Sequence, residues 1–371
     1  MNVILFSEWL LNYLISIDMT GSNSTNTSHC PYTEEWDWLH TTQLAYILAT
    51  SVLGILDNGF VLLVFCLHKK ACTVAEIYLR NLAATDLLLV SCLPLWAVNV
   101  ANGFDWPFGP LLCRLVNVGI NMNDYSSIYF LSLVSVDRYV ALEHTMSPWS
   151  MRSPSYAKLA CLLVWGYGLL LGTPTMVFRV VKWFPDFQVT ACYMAYPHDG
   201  WRLRYNLTVN IVGFLVPIPV VSFCSYHIIS VLRDNQASRM RSTTAAGTER
   251  KAAHLVLIVL AIFILCWLPY QVVIFLDTLY HYEVISGCGW VDVLEISTQL
   301  ATYLGYSNSS LNPFLYVIVG KHFKQRARGV CRQMMCCGKG RKSYHIVNLN
   351  STIKYTDSTK RLRKYLPNKL K

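Results

Sequence analysis

The chain has 371 residues and a formal net charge of +10, and 54% of its residues are hydrophobic while only 14% are charged. Soluble domains carry roughly 25% charged residues, so this composition favours a membrane protein. The basic residues concentrate in short loops and in the carboxyl-terminal tail. That distribution is typical of the positive-inside rule and counts against a nucleic-acid-binding surface.

The amino-terminal segment, residues 1–42, combines an apolar run with glycosylation sequons at Asn23 and Asn26. The run lacks a basic start and a small-residue cleavage site, so a cleaved signal peptide is not indicated. Two interpretations of this run stay open: it forms an ordered cap, or translation starts at Met19 and the run is not part of the protein. Sequons in a polar segment favour an extracellular, glycosylated amino terminus, and Asn206 is a third candidate if it clears the membrane.

Seven apolar runs follow, and each has the length of about 20 residues that a membrane-spanning helix needs. They cover approximately residues 44–67, 77–100, 112–140, 159–178, 205–232, 252–279 and 291–319. The sequence therefore predicts an all-α membrane protein with a seven-helix bundle over residues 43–320. An odd number of spans puts the termini on opposite sides, and the basic loops place the amino terminus outside the cell.

The third run is the axis of the predicted bundle. As a helix, the stretch from Cys113 to Arg138 rises about 37 Å, whereas the hydrocarbon core of a bilayer is about 30 Å thick. Cys113 is therefore expected at the outer face, and the triplet Asp137-Arg138-Tyr139 at the cytoplasmic face. The asparagines and serines between them are too polar for lipid contact, so we expect other helices to surround this one.

Four cysteines fall in segments that this topology puts outside the cell: Cys30, Cys113, Cys192 and Cys288. Four thiols in an oxidising compartment fit two disulfides, and the sequence alone allows three pairings. The other cysteines show no paired Cys-x-x-Cys spacing of the kind that binds a metal.

After the seventh run, residues 321–335 mix apolar and basic side chains, which predicts an amphipathic eighth helix along the inner membrane surface. Cys331, Cys336 and Cys337 are candidates for palmitoylation there. Residues 336–371 form a polar, basic tail that is expected to be disordered and open to phosphorylation.

Asp86 lies in the middle of the second run, where a charged side chain costs about 2.5–3.5 kcal/mol at the bilayer centre on insertion scales. Carboxylate, amide and hydroxyl oxygens suit a hard cation such as Na⁺. A structural sodium ion and a water-filled hydrogen-bond network both stay open at this site. The predicted polar neighbours of Asp86 are Asn58, Asn123, Ser127, Asn308 and Asn312.

Six short motifs follow one another at matching depths along the spans. They are Leu-Asp-Asn58, Leu-Ala-Ala-Thr-Asp86, Asp137-Arg138-Tyr139, Trp165, Cys266-Trp267-Leu-Pro269-Tyr and Asn312-Pro313-Phe-Leu-Tyr316. In this order they resemble the rhodopsin-like G-protein-coupled receptors over roughly residues 43–337.

That resemblance implies a disulfide between Cys113 and Cys192, and it implies that Arg138 engages the G protein. Glu249, just before the sixth run, is placed to pair with Arg138 in the resting state; a solvated loop charge is the alternative. The residues implied in activation and coupling are Asp137, Arg138, Tyr139, Glu249, Trp267, Pro269, Asn312, Pro313 and Tyr316.

Further stretches are similar to the bradykinin (kinin) receptors, more to the type-two subtype than to type one. They are Cys-Leu-His-Lys from Cys66, Cys-Thr-Val-Ala-Glu-Ile-Tyr-Leu from Cys72, Gly103-Phe-Asp-Trp106 and Phe-Leu-Asp277-Thr-Leu. Ile120 stands where amine receptors have an aspartate, and Val209 stands where angiotensin receptors have a lysine. Both differences count against those ligand classes.

Kinins are short peptides with arginine near both ends, and the resemblance assigns the amino-terminal arginine to Asp277 and Glu295. Carboxylates bind guanidinium through charge-assisted, bidentate hydrogen bonds. Arg179 is expected either to hold a carboxylate of the peptide or to pair with Asp186. Further positions implied in the peptide cavity are Trp96, Asn117, Ile120, Asn121, Tyr270, Gln271, Ile274, Gln299 and Tyr306; the aromatic ones can also be read as interfacial anchors.

Asp124 departs from the pattern of the type-two kinin receptor, which has an apolar residue at this position. It lies one turn inside Ile120 and Asn121, either deep in the ligand pocket or against the polar network. It can attract an arginine of the ligand, or it can carry a proton if its surroundings are dry. The residues alone do not decide between these roles.

The sequence thus predicts a plasma-membrane receptor for a basic peptide, with no enzymatic activity. The resemblance implies a Gq-type heterotrimeric G protein, receptor kinases and arrestin as partners, in contact with membrane lipid. A receptor of the related angiotensin or chemokine-like groups is the nearest alternative. A transporter would require inverted repeats, and the sequence contains none.

Overall fold

A computed structural model describes residues 37–67, 72–143, 153–185, 188–237, 244–319, 323 and 326–332. Its helices are α1 (Asp37–Leu67), α2 (Val74–Ala101), α3 (Gly109–Glu143), α4 (Pro154–Leu171), α5 (Thr173–Phe178), α6 (Asp199–Asn210), α7 (Pro217–Ala237), α8 (Thr244–His281) and α9 (Cys288–Val319). One π-helical turn, Ile211–Leu215, joins α6 to α7. All seven predicted spans are helical, so the predicted seven-helix bundle is confirmed.

Two of the spans are composite. The fourth consists of α4 and the short α5, and the fifth runs from α6 through the π turn into α7. Pro217 has no N–H, so it cannot donate to the carbonyl of Gly213 one helical turn earlier. The chain uses a wider turn there instead, in which the backbone N–H of Val216 donates to the carbonyl of Ile211 at 2.8 Å.

Within the described residues, five of the spans are long and apolar enough to cross a membrane by composition alone. The other two, α3 and α9, have 35 and 32 residues but carry polar side chains along their length. On α3, Asn117, Asn121 and Asn123 are all buried, whereas Leu162 and Leu163 of α4 are largely exposed. The polar helices therefore lie inside the bundle and the apolar faces point outward, as predicted for the third span.

Local sequence signals start the helices and hold them together. Thr73 and Glu76 form a capping box at the start of α2, in which the Glu76 carboxylate accepts from the backbone N–H of Thr73 at 2.8 Å. The indole N–H of Trp165 donates to the Asn81 side chain at 3.0 Å and so ties α4 to α2. Gly168 permits close approach of α4 and α3, because a Cβ there would lie 2.8 Å from the hydroxyl oxygen of Ser126.

A β-hairpin follows the fourth span. Its antiparallel strands are β1 (Arg179–Phe184) and β2 (Val189–Met194), with Arg179 opposite Met194 and Val181 opposite Cys192.

A helical turn over residues 326–332 falls within the predicted eighth helix and contains Cys331. The chain divides into two units at Gly320, and this helix belongs to the second. Several predicted positions lie outside the described residues, namely Asn23, Asn26, Cys30, Cys336 and Cys337. Their predicted roles, and palmitoylation of Cys331, stay predictions.

Candidate functional site

The outer end of α3 is tied to the β-hairpin by a disulfide between Cys113 and Cys192, which confirms that predicted pairing. The hairpin is also anchored to the loop after α2. There, the backbone N–H of Trp106 donates to the carbonyl of Thr190 at 2.8 Å, and the N–H of Thr190 donates to the Asp105 carboxylate at 2.6 Å. The second strand, β2, is thereby fixed beside the residues predicted to bind ligand.

Arg179, the first residue of β1, is fully buried. Its guanidinium donates to the side-chain oxygen of Asn117 at 3.0 Å, and its backbone carbonyl accepts from Arg114 at 3.0 Å. Asn117 in turn donates to the carbonyl of Cys113 at 2.5 Å. Two predicted ligand contacts, Arg179 and Asn117, therefore bind each other here, while Asp186 lies outside the described residues.

Asp277, near the carboxyl-terminal end of α8, is also buried and forms an ion pair within the protein. Both of its carboxylate oxygens accept from one guanidinium nitrogen of Arg202, Nη2, each at 3.1 Å. The side chains of Arg202 and Asp277 are only 15% and 10% exposed, so the pair is largely shielded from water. Sequence reasoning missed Arg202, although it stands one helical turn before Asn206 on α6 and thus shares its face.

Asn206 is predicted as a glycosylation site if it clears the membrane, and the structure places its side chain in the interior of the bundle. Its side chain is 2% exposed, and its amide nitrogen donates to the Thr278 hydroxyl at 2.9 Å and to the Asp277 carboxylate at 3.4 Å. A glycan on that nitrogen would require the α6–α8 contact to open. Asn206 instead supports the Arg202–Asp277 pair.

The predicted peptide-cavity residues face the interior of the bundle. Eleven of the twelve have described side chains, and each of these is 9% exposed or less; the side chain of Glu295 lies outside the described residues. The aromatic members pack on other rings, with Trp96 5.5 Å from Trp106 and Tyr270 6.0 Å from Trp267 between ring centroids. Their burial is inconsistent with interfacial anchors in contact with lipid.

Among the remaining members of this set, Asn121 joins different helices. Asn121 on α3 donates to the Thr175 hydroxyl on α5 and accepts from the Tyr205 hydroxyl on α6 at 3.2 Å. Gln299 on α9 accepts from the Tyr303 hydroxyl at 3.4 Å. Ile120, Ile274 and Tyr306 complete the set as buried side chains.

A buried polar network surrounds Asp86, which has no solvent exposure. Its two carboxylate oxygens accept from the amide of Asn123 at 3.0 Å and from that of Asn312 at 2.9 Å, which joins α2 to α3 and α9. Asn58 does not contact Asp86; it donates instead to the backbone carbonyl of Ser309 at 2.9 Å.

Several buried oxygen atoms of the residues predicted as neighbours of Asp86 retain unused hydrogen-bonding capacity. Within the described residues, the side-chain oxygens of Asn123, Ser127, Asn308 and Asn312 have no hydrogen-bond partner although they are buried. Unsatisfied polar groups in such a place are usually met by ordered water or an ion. A carboxylate with amide and hydroxyl oxygens fits a sodium ion or ordered water, and the sodium ion stays a prediction.

Trp267 on α8 lies at the centre of the bundle between the two polar regions. The centroids of the Trp267 and Phe263 rings are 6.0 Å apart. A Cβ at Gly305 would lie 3.4 Å from the six-membered ring of Trp267. Pro269 and Pro313 interrupt the hydrogen bonding of α8 and α9. Each of these helices thus contains a point where bending is easiest.

At the carboxyl-terminal end of α3, Arg138 pairs with its neighbour Asp137 at 2.5 Å, and both side chains are buried. Tyr139 packs against Phe223 and His227 of α7, with ring centroids 5.6 and 5.3 Å apart. The side chains of Glu249 and Tyr316 lie outside the described residues, so the predicted contact between Glu249 and Arg138 stays a prediction.

Comparison with known proteins gives a family for this architecture. Residues 57–316 match the family described as 7 transmembrane receptor (rhodopsin family). The chain is 48% identical over 331 residues to the B2 bradykinin receptor of Mus musculus, covering 88% of this chain and 83% of that protein. It is 50% identical over 316 residues to the B2 bradykinin receptor of Oryctolagus cuniculus, covering 85% of each.

Similarity to the B1 subtype is lower. The B1 bradykinin receptor of Homo sapiens is 39% identical over 311 residues, covering 84% of this chain and 87% of that protein. The family match at residues 57–316 contains α2 to α8 and most of α9, together with the second part of α1.

Proposed function

We propose that this chain, which belongs to the rhodopsin family of seven-transmembrane receptors and within it to the bradykinin-receptor group, binds a kinin-like basic peptide at the cell surface. Members of this family are multi-pass membrane receptors rather than enzymes. We further propose that it signals through a Gq-type G protein to phospholipase C and calcium release. The observation that carries the ligand assignment is the guanidinium site at Asp277.

Asp277 already binds one guanidinium, that of Arg202, through two bonds of 3.1 Å. This pair supports the proposal because the Asp277 carboxylate already accepts hydrogen bonds from a guanidinium, the group that an arginine of a peptide would present. The position near the outer end of α8 also makes the carboxylate reachable from outside the cell. Glu295, on the outer part of α9, would supply the second carboxylate predicted for the same arginine.

Binding at Asp277 is then an exchange of one guanidinium for another. The peptide arginine must displace Arg202, which moves towards water. Because Arg202 and Asp277 are mostly shielded from solvent, their bonds are stronger than those of an exposed ion pair. The net gain from the exchange is therefore small, and the remaining affinity must come from the buried cavity residues.

Activation is proposed to follow from a population shift, in which the peptide binds the active state more tightly than the resting one. Pro269 offers a pivot beside Trp267, where the cytoplasmic part of α8 can swing outward. That motion would expose Arg138 to the G protein. The Asp86 network spans the path between them, and we propose that it holds a sodium ion in the resting state.

The remaining assignments concern the two membrane faces. We propose an extracellular amino terminus and a cytoplasmic carboxyl terminus, consistent with the disulfide beside the ligand cavity and with the basic loops at the opposite end. The tail would be phosphorylated by receptor kinases and would then recruit arrestin, while palmitoylated cysteines would hold the eighth helix against membrane lipid.

Calcium release in cells that express the chain tests this function. Bradykinin should raise cytosolic calcium in a concentration-dependent way, a Gq inhibitor should abolish the rise, and angiotensin should give none. The double charge reversal Asp277→Arg with Glu295→Arg should abolish labelled-bradykinin binding while surface expression persists. No calcium response together with no binding of labelled kinin, on cells that display the receptor, would overturn the ligand assignment.

A further inference from the structure

Asp124 on α3 is a second buried carboxylate, separate from the Asp86 network. It is 9% exposed, and neither of its oxygens has a hydrogen-bond partner within the described residues. By contrast, both oxygens of Asp86 accept hydrogen bonds from asparagines. An ionised carboxylate without partners is strongly unfavourable in a protein interior, so Asp124 requires a counter-charge or a proton.

Asp124 borders a small cavity between α3, the fifth span and α8, with room for about one water molecule. The lining consists of Asp124, Tyr125, Val209, Gly213, Phe214, Phe263, Trp267 and Gln271. Two of these residues, Trp267 and Gln271, also belong to the predicted activation and peptide-binding sets. The cavity therefore lies at the floor of the ligand region.

The chemistry of the lining favours a positive charge. The Tyr125 hydroxyl and the side-chain oxygen of Gln271 are buried without a hydrogen-bond partner in the described part of the chain, so they add two acceptors to those of Asp124. Aromatic faces of Phe214, Phe263 and Trp267 also attract cations. The lining contains no Lys, Arg or His to neutralise Asp124.

The backbone of the fifth span shapes one wall of this cavity. Gly213 and Phe214 lie in the π turn Ile211–Leu215, and π turns inside helices occur frequently at functional sites. A Cβ on Gly213 would approach the Tyr125 ring to 3.2 Å, so glycine lets that ring sit against the π turn.

We propose that this cavity is a subsite for a small cationic group, held by the Asp124 carboxylate with Gln271 and Tyr125 as further oxygen ligands. Two sources can supply that chemistry: a dissolved monovalent cation such as Na⁺, or a basic group of the bound peptide reaching past Gln271, which would have to widen a cavity that now has room for about one water molecule. The second source rests on the proposed function, whereas the first does not. The subsite is specific to Asp124 and distinct from the sodium site proposed at Asp86.

The ion source is tested by thermal unfolding of the purified receptor in lipid nanodiscs, with NaCl replaced by choline chloride at constant ionic strength. The variant Asp86→Asn removes the first sodium site. If sodium still raises the Tm of this variant, and no longer raises that of the double variant Asp86→Asn/Asp124→Asn, the remaining ion binds at Asp124. Asp124→Leu provides a second neutral variant. Without sodium, both Asp124 variants should be at least as stable as the parent, because they remove a buried charge that lacks a partner.

The peptide source is tested by binding of bradykinin and of two analogues in which one or the other terminal arginine is citrulline. If a peptide arginine occupies the cavity, Asp124→Asn should weaken bradykinin binding about 10- to 100-fold and leave binding of one analogue unchanged. If the chain binds no kinin, the peptide-binding experiment gives no information, and the sodium experiment alone tests the subsite. Absence of an Asp124-dependent sodium effect, together with equal weakening for all three peptides or none, would overturn the proposal.

Discussion

The ion pair between Arg202 and Asp277 leads to a quantitative prediction about ligand affinity. In the receptor without ligand, Arg202 satisfies both carboxylate oxygens. A peptide arginine must break these bonds before it can form its own. Replacing Arg202 with glutamine removes the competitor, so the variant Arg202→Gln should bind bradykinin more tightly than the parent.

The size of the effect follows from the shielding of the pair. Hydrogen bonds to charged groups contribute about 1.5–3 kcal/mol, and about 1.4 kcal/mol corresponds to a factor of ten in affinity. Because Arg202 lies near the protein surface and retains 15% exposure, the lower end of this range applies. We therefore expect Arg202→Gln to raise affinity about tenfold.

A double-mutant cycle isolates the exchange from other effects. In the parent, Asp277→Asn should lower the affinity for bradykinin only slightly. The substitution removes the peptide contact, but the peptide then no longer has to displace Arg202. In the Arg202→Gln background, the factor by which Asp277→Asn lowers the affinity for bradykinin should be about tenfold larger than in the parent. Competition binding with labelled bradykinin on membranes measures all four affinities, and the analogue with citrulline at its amino terminus should not gain affinity from Arg202→Gln.

Arg204 supplies the matched control, since it is exposed and lies over the ring of Trp201 at 4.7 Å. Arg204→Gln removes the same charge from the same helix and should leave affinity unchanged. Two results would refute the reasoning: unchanged affinity in Arg202→Gln at normal surface expression, or an equal cost of Asp277→Asn in both backgrounds.

Two further predictions concern the resting state. Glu249→Ala should raise basal inositol phosphate production, because it removes the proposed partner of Arg138; an unchanged baseline at equal surface expression would exclude that contact. Asp86→Asn should abolish the sodium sensitivity of agonist binding, since the neutral amide is a far weaker cation ligand than the carboxylate that Asn123 and Asn312 hold in place. A sodium effect of full size in this variant would place the ion elsewhere.

Helical spacing accounts for the parts of the site that the sequence predicts well. Asp86, Asn123 and Asn312 lie near the middle of three apolar runs, and buried polar groups in a bundle seek one another because lipid offers them no partners. The pairing of Cys113 with Cys192 rests on family resemblance, since the sequence alone leaves three pairings.

Contacts that depend on how two helices approach each other cannot be predicted from helical spacing. The pairing of Arg202 with Asp277 requires the relative rotation of α6 and α8, and the π turn Ile211–Leu215 changes that rotation by adding a residue to one turn. Counting back from Pro217 on a regular helix therefore gives the wrong face for residues of α6. Asn206 shows the same limit, because a sequon is a local pattern and contains no information about burial.

Asn123 and Asp124 explain how one turn of α3 can connect two regions of the receptor. Successive residues of an α-helix point about 100° apart, and here Asn123 binds Asp86 while Asp124 faces the cavity beside Trp267. A rotation of α3 that tightens one contact must strain the other, because both side chains share the same backbone. Any group that binds at Asp124 would therefore alter ion affinity at Asp86, and linkage requires the reverse effect to be equal in free energy. Asp86 on α2 and Asp124 on α3 would then act as coupled sites, linked through Asn123 of α3, between the proposed peptide site and Arg138.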